Sequence, residues 1–293
     1  MTDASPLRIA FFPGCLIPVK YPQFESAIRK TLPNLGVEIV DLPGLTCCPD
    51  PIYFKSSNKL DWLTIAARNL TVAESVGLDF FTICSGCTAT LSEANHHLQS
   101  NPELKEKVNK RLARVGREYK GTAQVRHIVT VLRDKVGIER VQASVKKPLK
   151  GLTVAIHYGC HLLKPSEIMR VDNPDYPHVL DDLVTALGAT PVVHRERILC
   201  CGKACQDENM PAEMMTDLLA SVCEVEADCL GVICPSCFNE FDLGQLKLNR
   251  ERDKHFAIPV AYFFQLLGLA QGYTAQELGL DRHKVKAKGL VAG

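Results

Sequence analysis

Ten of the 13 cysteines in this 293-residue chain fall into two sets of five that share one arrangement. The first set runs Cys15, 31 residues, Cys47-Cys48, 35 residues, then Cys84-x-x-Cys87. The second runs Cys160, 39 residues, Cys200-Cys201, 32 residues, then Cys234-x-x-Cys237. In a reducing compartment, clustered thiols are metal ligands or redox nucleophiles sooner than disulfides. A structural zinc takes four ligands and would leave one cysteine of each set idle. A cubane 4Fe–4S cluster also takes four, and a thioredoxin-like dithiol takes two with no use for the doublet. Recurrence of all five in both sets points to a site that uses five thiolates. Iron–sulfur chemistry stands first, ahead of zinc in one half and of a disulfide or metal-free site.

The cysteines are carried by an internal repeat. Ile9-Ala10-Phe11-Phe12-Pro13-Gly14-Cys15 answers to Val154-Ala155-Ile156-His157-Tyr158-Gly159-Cys160, an apolar run closed by Gly-Cys. Gly36-Val37 precedes Cys47 as Gly188-Ala189 precedes Cys200, and apolar runs lead into Cys84 and Cys234. To position these residues the pattern predicts β-strands at 8–12, 37–41, 79–83, 152–157, 190–194 and 231–233. Helical periodicity covers 22–32, 60–76, 88–99, 102–118, 127–136, 175–187, 211–227 and 238–248. Strands alternating with helices predict an α/β fold: two pseudo-twofold-related repeats with short, mostly parallel sheets. The polar, proline-containing stretch Ala143–Lys150 is the expected linker, dividing the chain into 1–145 and 146–293. Cys15, Cys84, Cys160 and Cys234 then end strands, where open α/β sheets bind ligands. Helix N-termini there offer free N–H groups to an anionic sulfide cluster.

Composition excludes several classes. With 34 Lys+Arg against 33 Asp+Glu the net charge is +1, which does not suit a general nucleic-acid binder. No run of about 18 apolar residues occurs, so no spanning helix is expected. The N-terminal MTDASPLRIAFFPG lacks a basic region and a small-residue cleavage site, so a cytoplasmic location is expected. Gly-x-Gly-x-x-Gly is absent, so electrons are expected from a partner rather than from a bound dinucleotide.

Several motifs together carry a family resemblance: Phe12-Pro13-Gly14-Cys15-Leu16-Ile17-Pro18, Thr46-Cys47-Cys48-Pro49, Trp62-Leu63-Thr64-Ile65-Ala66-Ala67-Arg68-Asn69-Leu70, Tyr158-Gly159-Cys160-His161 and Cys200-Cys201-Gly202. The chain resembles the CCG-domain family and, over essentially its whole length, the B subunits of heterodisulfide reductases. The first half has Cys-Cys-Pro where the family's namesake motif ends in Gly. The resemblance implies two noncubane 4Fe–4S clusters. One would be bound by Cys15, Cys47, Cys48, Cys84 and Cys87, the other by Cys160, Cys200, Cys201, Cys234 and Cys237. The clusters would face each other across the two halves and cleave a disulfide between them, most plainly the coenzyme M–coenzyme B heterodisulfide of methanogenesis. Implied partners are a C subunit with ordinary 4Fe–4S clusters and a flavin-containing A subunit. Two other readings stay open: a subunit of a sulfur-oxidising heterodisulfide-reductase-like complex acting on a protein-bound sulfur carrier, and a non-catalytic electron-transfer or zinc-stapled subunit.

The halves differ beside their first cysteine. His161 follows Cys160 where Leu16 follows Cys15, so His161 is the candidate proton donor to a leaving thiolate. Hydrogen bonding to a cluster sulfur is its plainer alternative. Lys164, and Lys20 in the matching loop, are candidates to meet an anionic substrate group or simply to face solvent. Cys205 could approach the second site, whereas Cys223 and Cys229 are expected in the core. The basic run Lys105–Arg117 and the tail Arg282–Lys288 read as solvated faces or docking surfaces for an acidic partner. His96-His97 should end an exposed helix, and Trp62 should lie in the core.

Overall fold

A computed structural model describes residues 5–287 and 290; the first four residues of the N-terminal stretch and Lys288 of the basic tail lie outside them. Strands β1 (Leu7–Phe12), β2 (Val37–Asp41), β3 (Phe80–Thr82) and β4 (Val125–His127) form one parallel sheet in the order β2-β1-β3-β4. Strands β5 (Thr153–His157), β6 (Thr190–Val192), β7 (Cys229–Val232) and β8 (Val260–Tyr262) form a second in the order β6-β5-β7-β8. Each is the other's repeat. Register makes Phe12, Thr82 and His127 of the first equivalent to His157, Val232 and Tyr262 of the second.

The central strands are continuous apolar runs because helices cover both faces, as parallel sheets require. β1 buries its last four residues and β7 all four. Local signals set the helices. Pro22 opens Pro22–Thr31 at the position where a missing N–H costs least. Asn58 caps Lys59–Glu74 by accepting from the Leu60 and Asp61 N–H groups.

Two strands were not anticipated, β4 and β8, and neither was the helix Phe263–Ala270 that follows β8. Each strand has three residues and runs straight into an apolar helix, so Val125–Val131 and Val260–Ala270 carry no period-two signal of their own. The helix expected at 238–248 starts at Pro235 and widens into a π-turn at Glu240–Gly244 before Gln245–Arg252. The 143–150 stretch does not hang free. Its Lys146 and Lys147 N–H groups donate to the Ala270 carbonyl at 2.8 and 2.9 Å, and Leu149 N–H to that of Leu187 at 2.9 Å.

One apolar cluster runs from the first half into the second. At its centre Phe24 stacks on Tyr262, with ring centroids 4.1 Å apart, and meets Phe238 edge-on at 4.7 Å. A separate cluster around Trp62, Phe80 and Tyr119 fills the far side of the first sheet. Trp62 is fully buried as expected.

Candidate functional site

Both sheets deliver their cysteines at the carboxyl ends of the strands. Cys84 and Cys234 are extended N-cap residues of Ser85–Ser100 and Pro235–Asn239, with φ/ψ of −122°/116° and −119°/127°. Just beyond β1 and β5, Gly14 and Gly159 turn the chain with φ of +70° and +69°. A Cβ on Gly14 would lie 2.9 Å from Cys87 Sγ, and one on Gly159 3.5 Å from Cys237 Sγ. The Gly-Cys of each repeat therefore lets a loop pass close against the last cysteine of its own set. Asn69 fixes the first doublet, donating to the Cys47 carbonyl at 3.0 Å and accepting from Thr46 N–H at 2.8 Å. In the second doublet Gly202 N–H donates to Cys200 Sγ at 3.4 Å.

The ten thiols form a single row. Each thiol acts electrostatically on the next in the order Cys15, Cys47, Cys48, Cys87, Cys84, then Cys234, Cys237, Cys201, Cys200, Cys160. Followed from either end, the order of roles is the same, and the halves join where Cys84 meets Cys234. The row starts at exposed Cys15 and Cys47, is buried at Cys87, Cys234 and Cys237, and reaches half-buried Cys160. The neighbouring thiols hold Cys48, Cys200 and Cys234 well below the ordinary thiol value. Cys15, Cys84, Cys87, Cys160, Cys201 and Cys237 are pushed up, first by a neighbouring thiol and then by burial. A polynuclear iron core supplies the positive charge that lets a whole set ionise, and this donor set fits one. Among the described residues no group of three or more His, Cys, Asp or Glu side chains is disposed to hold a single metal ion.

A cavity opens beside each set. The first, about 140 Å³, is lined by Cys15, Cys47, Cys48, Cys84 and Cys87 with Leu16 and Ile17. The second, about 90 Å³, is lined by Cys160, Cys200, Cys201, Cys234 and Cys237 with His161 and Lys203. Asp50, Pro51, Gly86 and Ser236 belong to both. Gly86 and Ser236 are inner residues of the two Cys-x-x-Cys motifs, so each cavity is completed by the opposite half.

His161 lines the second cavity with Nδ1 3.6 Å from Cys160 Sγ. Lys164 does not line it: the residue is exposed, and its N–H donates to the Cys160 carbonyl at 3.0 Å. Lys20 bonds to Asn239 across the halves. The cation at the second cavity is instead Lys203, 3.0 Å from Glu240. The repeat offers a signal for it, since Asp50 stands two residues after the first doublet and Lys203 two after the second. Cys205 is half-buried and outside the lining. Cys229 is buried as expected, but Cys223 is exposed, because Leu218, Leu219 and Val222 take the inner face of its helix. Lys107 and Lys110 of the basic run pair with Glu103 and Glu106 on a solvated face.

Sequence reasoning did not single out Tyr262 or His157. Tyr262, fully buried, has its hydroxyl on the Ile83 carbonyl and 3.0 Å from that of Ile233, the residues just before Cys84 and Cys234. His157 is buried at the end of β5 beside the second set; burial pushes it down to about 3, so the ring is neutral.

A profile of the cysteine-rich CCG domain matches residues 9–92 and again 154–242, one match per repeat. The chain is 40% identical to the B subunit of the ferredoxin/F(420)H(2)-dependent CoB-CoM heterodisulfide reductase of Methanosarcina acetivorans, over 95% of this chain and 94% of that one. It belongs to the CCG-domain family of heterodisulfide reductase B subunits. This family member is also 32% identical to the 8-methylmenaquinol:fumarate reductase membrane anchor subunit of Wolinella succinogenes, over 97% of this chain and 99% of that one. Among the described residues no helix is long and apolar enough to cross a membrane. The fold is shared with a hypothetical protein from Helicobacter pylori at a TM-score of 0.76 and 19% identity, covering 97% of this chain and 53% of that one.

Proposed function

We propose that this chain is the subunit on which a disulfide is reduced to two thiols, the coenzyme M–coenzyme B heterodisulfide being the substrate. The chain would divide at residues 145 and 146, each half holding a noncubane 4Fe–4S cluster on its five cysteines. The observation that carries this reading is the pair of cavities meeting over the Cys84–Cys234 joint, one beside each thiol set. A disulfide seated across the shared rim would present one sulfur to each half. When bound, each cluster supplies one-electron chemistry at an iron–sulfur surface.

The chain's own residues do the rest. Leu16, Ile17 and Pro51 exclude water around one thiol, while Lys203 can meet an anionic group on the other. Cleavage takes two electrons and two protons and releases two thiols. His161, beside Cys160, is placed to hold the proton one thiolate takes up. The electrons come from partners, a C subunit with 4Fe–4S clusters and behind it the flavin-containing A subunit. This activity suits a cytoplasmic complex.

The full-length similarity to the Wolinella succinogenes protein supports a second reading, an electron-transfer subunit of a quinol-linked reductase. One experiment separates them. Anaerobically prepared protein should hold about eight iron atoms, from two clusters of four. After reduction by an artificial one-electron donor, the heterodisulfide should reoxidise it with two thiols formed per disulfide. Reduced protein indifferent to the disulfide would favour the second reading, and protein that takes only zinc would overturn both.

A further inference from the structure

His157 is 1% exposed, and neither of its ring nitrogens finds a hydrogen-bond partner in the protein. A neutral imidazole has one N–H to give and one lone pair to fill, and burying both unpartnered costs desolvation with nothing returned. The surroundings narrow what the missing partner is. On one side the Phe241 ring meets the imidazole edge-to-face at 4.9 Å. The nearby His194 is already engaged, with Nδ1 on Ser221 at 2.9 Å and Nε2 on the Ile156 carbonyl at 3.2 Å. On the other side Gly159 passes so close that a Cβ there would lie 3.1 Å from His157 Nε2 and 3.5 Å from Cys237 Sγ. The thiols of Cys234 and Cys200 also act on the ring electrostatically. The Nε2 edge of the imidazole therefore lies against Gly159, the residue that also approaches Cys237 Sγ.

The first half has no imidazole at the matching position, and its own buried histidine, His127, has both nitrogens engaged, Nε2 3.5 Å from Ser85 Oγ and Nδ1 accepting from Val129 N–H at 3.3 Å. The equivalent residue is Phe12, an apolar side chain packed edge-on against Phe80 at 5.7 Å.

We infer that His157 donates its N–H to a sulfur of the centre held by the second cysteine set, and thereby raises that centre's reduction potential above that of the first. The inference rests on the iron–sulfur reading proposed above. A donor aimed at sulfur stabilises the more negative, reduced state more than the oxidised one. Electrons then settle on the second half before the first.

The test is a potentiometric titration of the loaded full-length chain, followed by electron paramagnetic resonance with iron analysis on each sample. Cys48→Ser and Cys201→Ser, each emptying one set, assign the two midpoints. His157→Phe should keep its iron and lower the second midpoint while leaving the first in place. His157→Gln, which keeps an N–H, should recover part of the shift, and Phe12→His should raise the first midpoint. Full iron with both midpoints unmoved in His157→Phe overturns the inference. If that variant sheds its second-half iron, Phe12→His decides, and an unmoved first midpoint overturns it. A chain that takes zinc alone overturns the reading and the inference together; unmoved midpoints in an iron-loaded chain overturn the inference alone.

Discussion

The most exacting single positions are the least conspicuous ones. Gly14 has both a left-handed backbone and 2.9 Å between a would-be Cβ and Cys87 Sγ. An alanine there costs about 1–2 kcal/mol in backbone strain alone and pushes the thiol out of its row. Gly14→Ala should therefore lose iron from the first set while the second keeps its own, as iron analysis of the purified variant will tell. His161 makes a different prediction. Replacement by Gln should leave both iron contents intact and slow turnover by about 100- to 10,000-fold, the usual contribution of a general acid. Unchanged turnover would remove it from the chemistry. That the ten cysteines gather at two cavities, with His161 at the second, was legible because spacing and residue type define them. Lys203, His157 and Tyr262 were not, because a lysine, a histidine or a tyrosine gains its meaning from burial and from what it faces. His157 even lies inside the aligned repeat opposite Phe12, yet only its unpartnered nitrogens set it apart.

Among the elements, six strands followed from apolar runs between helical patterns, and β4 and β8, one edge of each sheet, did not. A short strand that runs without a break into an apolar helix offers no change of pattern to separate the two. The repeat could have supplied them, since Arg126-His127-Ile128-Val129 and Ala261-Tyr262-Phe263-Phe264 occupy matching places. A side chain ties the sheet start. Asp228 accepts from Thr153 N–H and from its hydroxyl, both at 2.7 Å, joining the beginnings of β5 and β7. Those bonds hold its carboxyl below the ordinary value. With the folded value depressed, this stability is present above the unfolded carboxylate value of about 4 and is lost as pH falls through the folded value. Asp228→Asn should melt below the parent at neutral pH, with the gap narrowing in acid as pH falls through the parent's depressed folded value and the parent loses the same charge. A gap of equal size at neutral and acid pH would assign the effect to packing.

As one molecule, the protein is held by the aromatic contact of Phe24 with Tyr262 and Phe238 and by a core that does not stop at the boundary. The halves should unfold together. The single tryptophan, Trp62, reports on the first half, whereas far-ultraviolet circular dichroism reports on both. In urea the two signals should trace one transition. Phe24→Ala, which removes a fully buried ring, should cost about 3–5 kcal/mol and shift both curves. Separate midpoints in the parent protein would show two independent folding units.

Neither cavity closes without a residue from the opposite Cys-x-x-Cys motif, Ser236 for the first and Gly86 for the second. A chain with only one repeat could complete its site only by pairing with a copy of itself about a two-fold axis, a self-complementary contact of the commonest kind. Such a homodimer must carry identical side chains at both sites. Joining two repeats in one polypeptide removes that constraint. Asp50 can then stand where its counterpart is Lys203, Leu16 opposite His161, and Phe12 opposite His157. Duplication turns a symmetric container into one whose two walls, drawn from the same repeat, differ in charge and in the hydrogen bonds they can make.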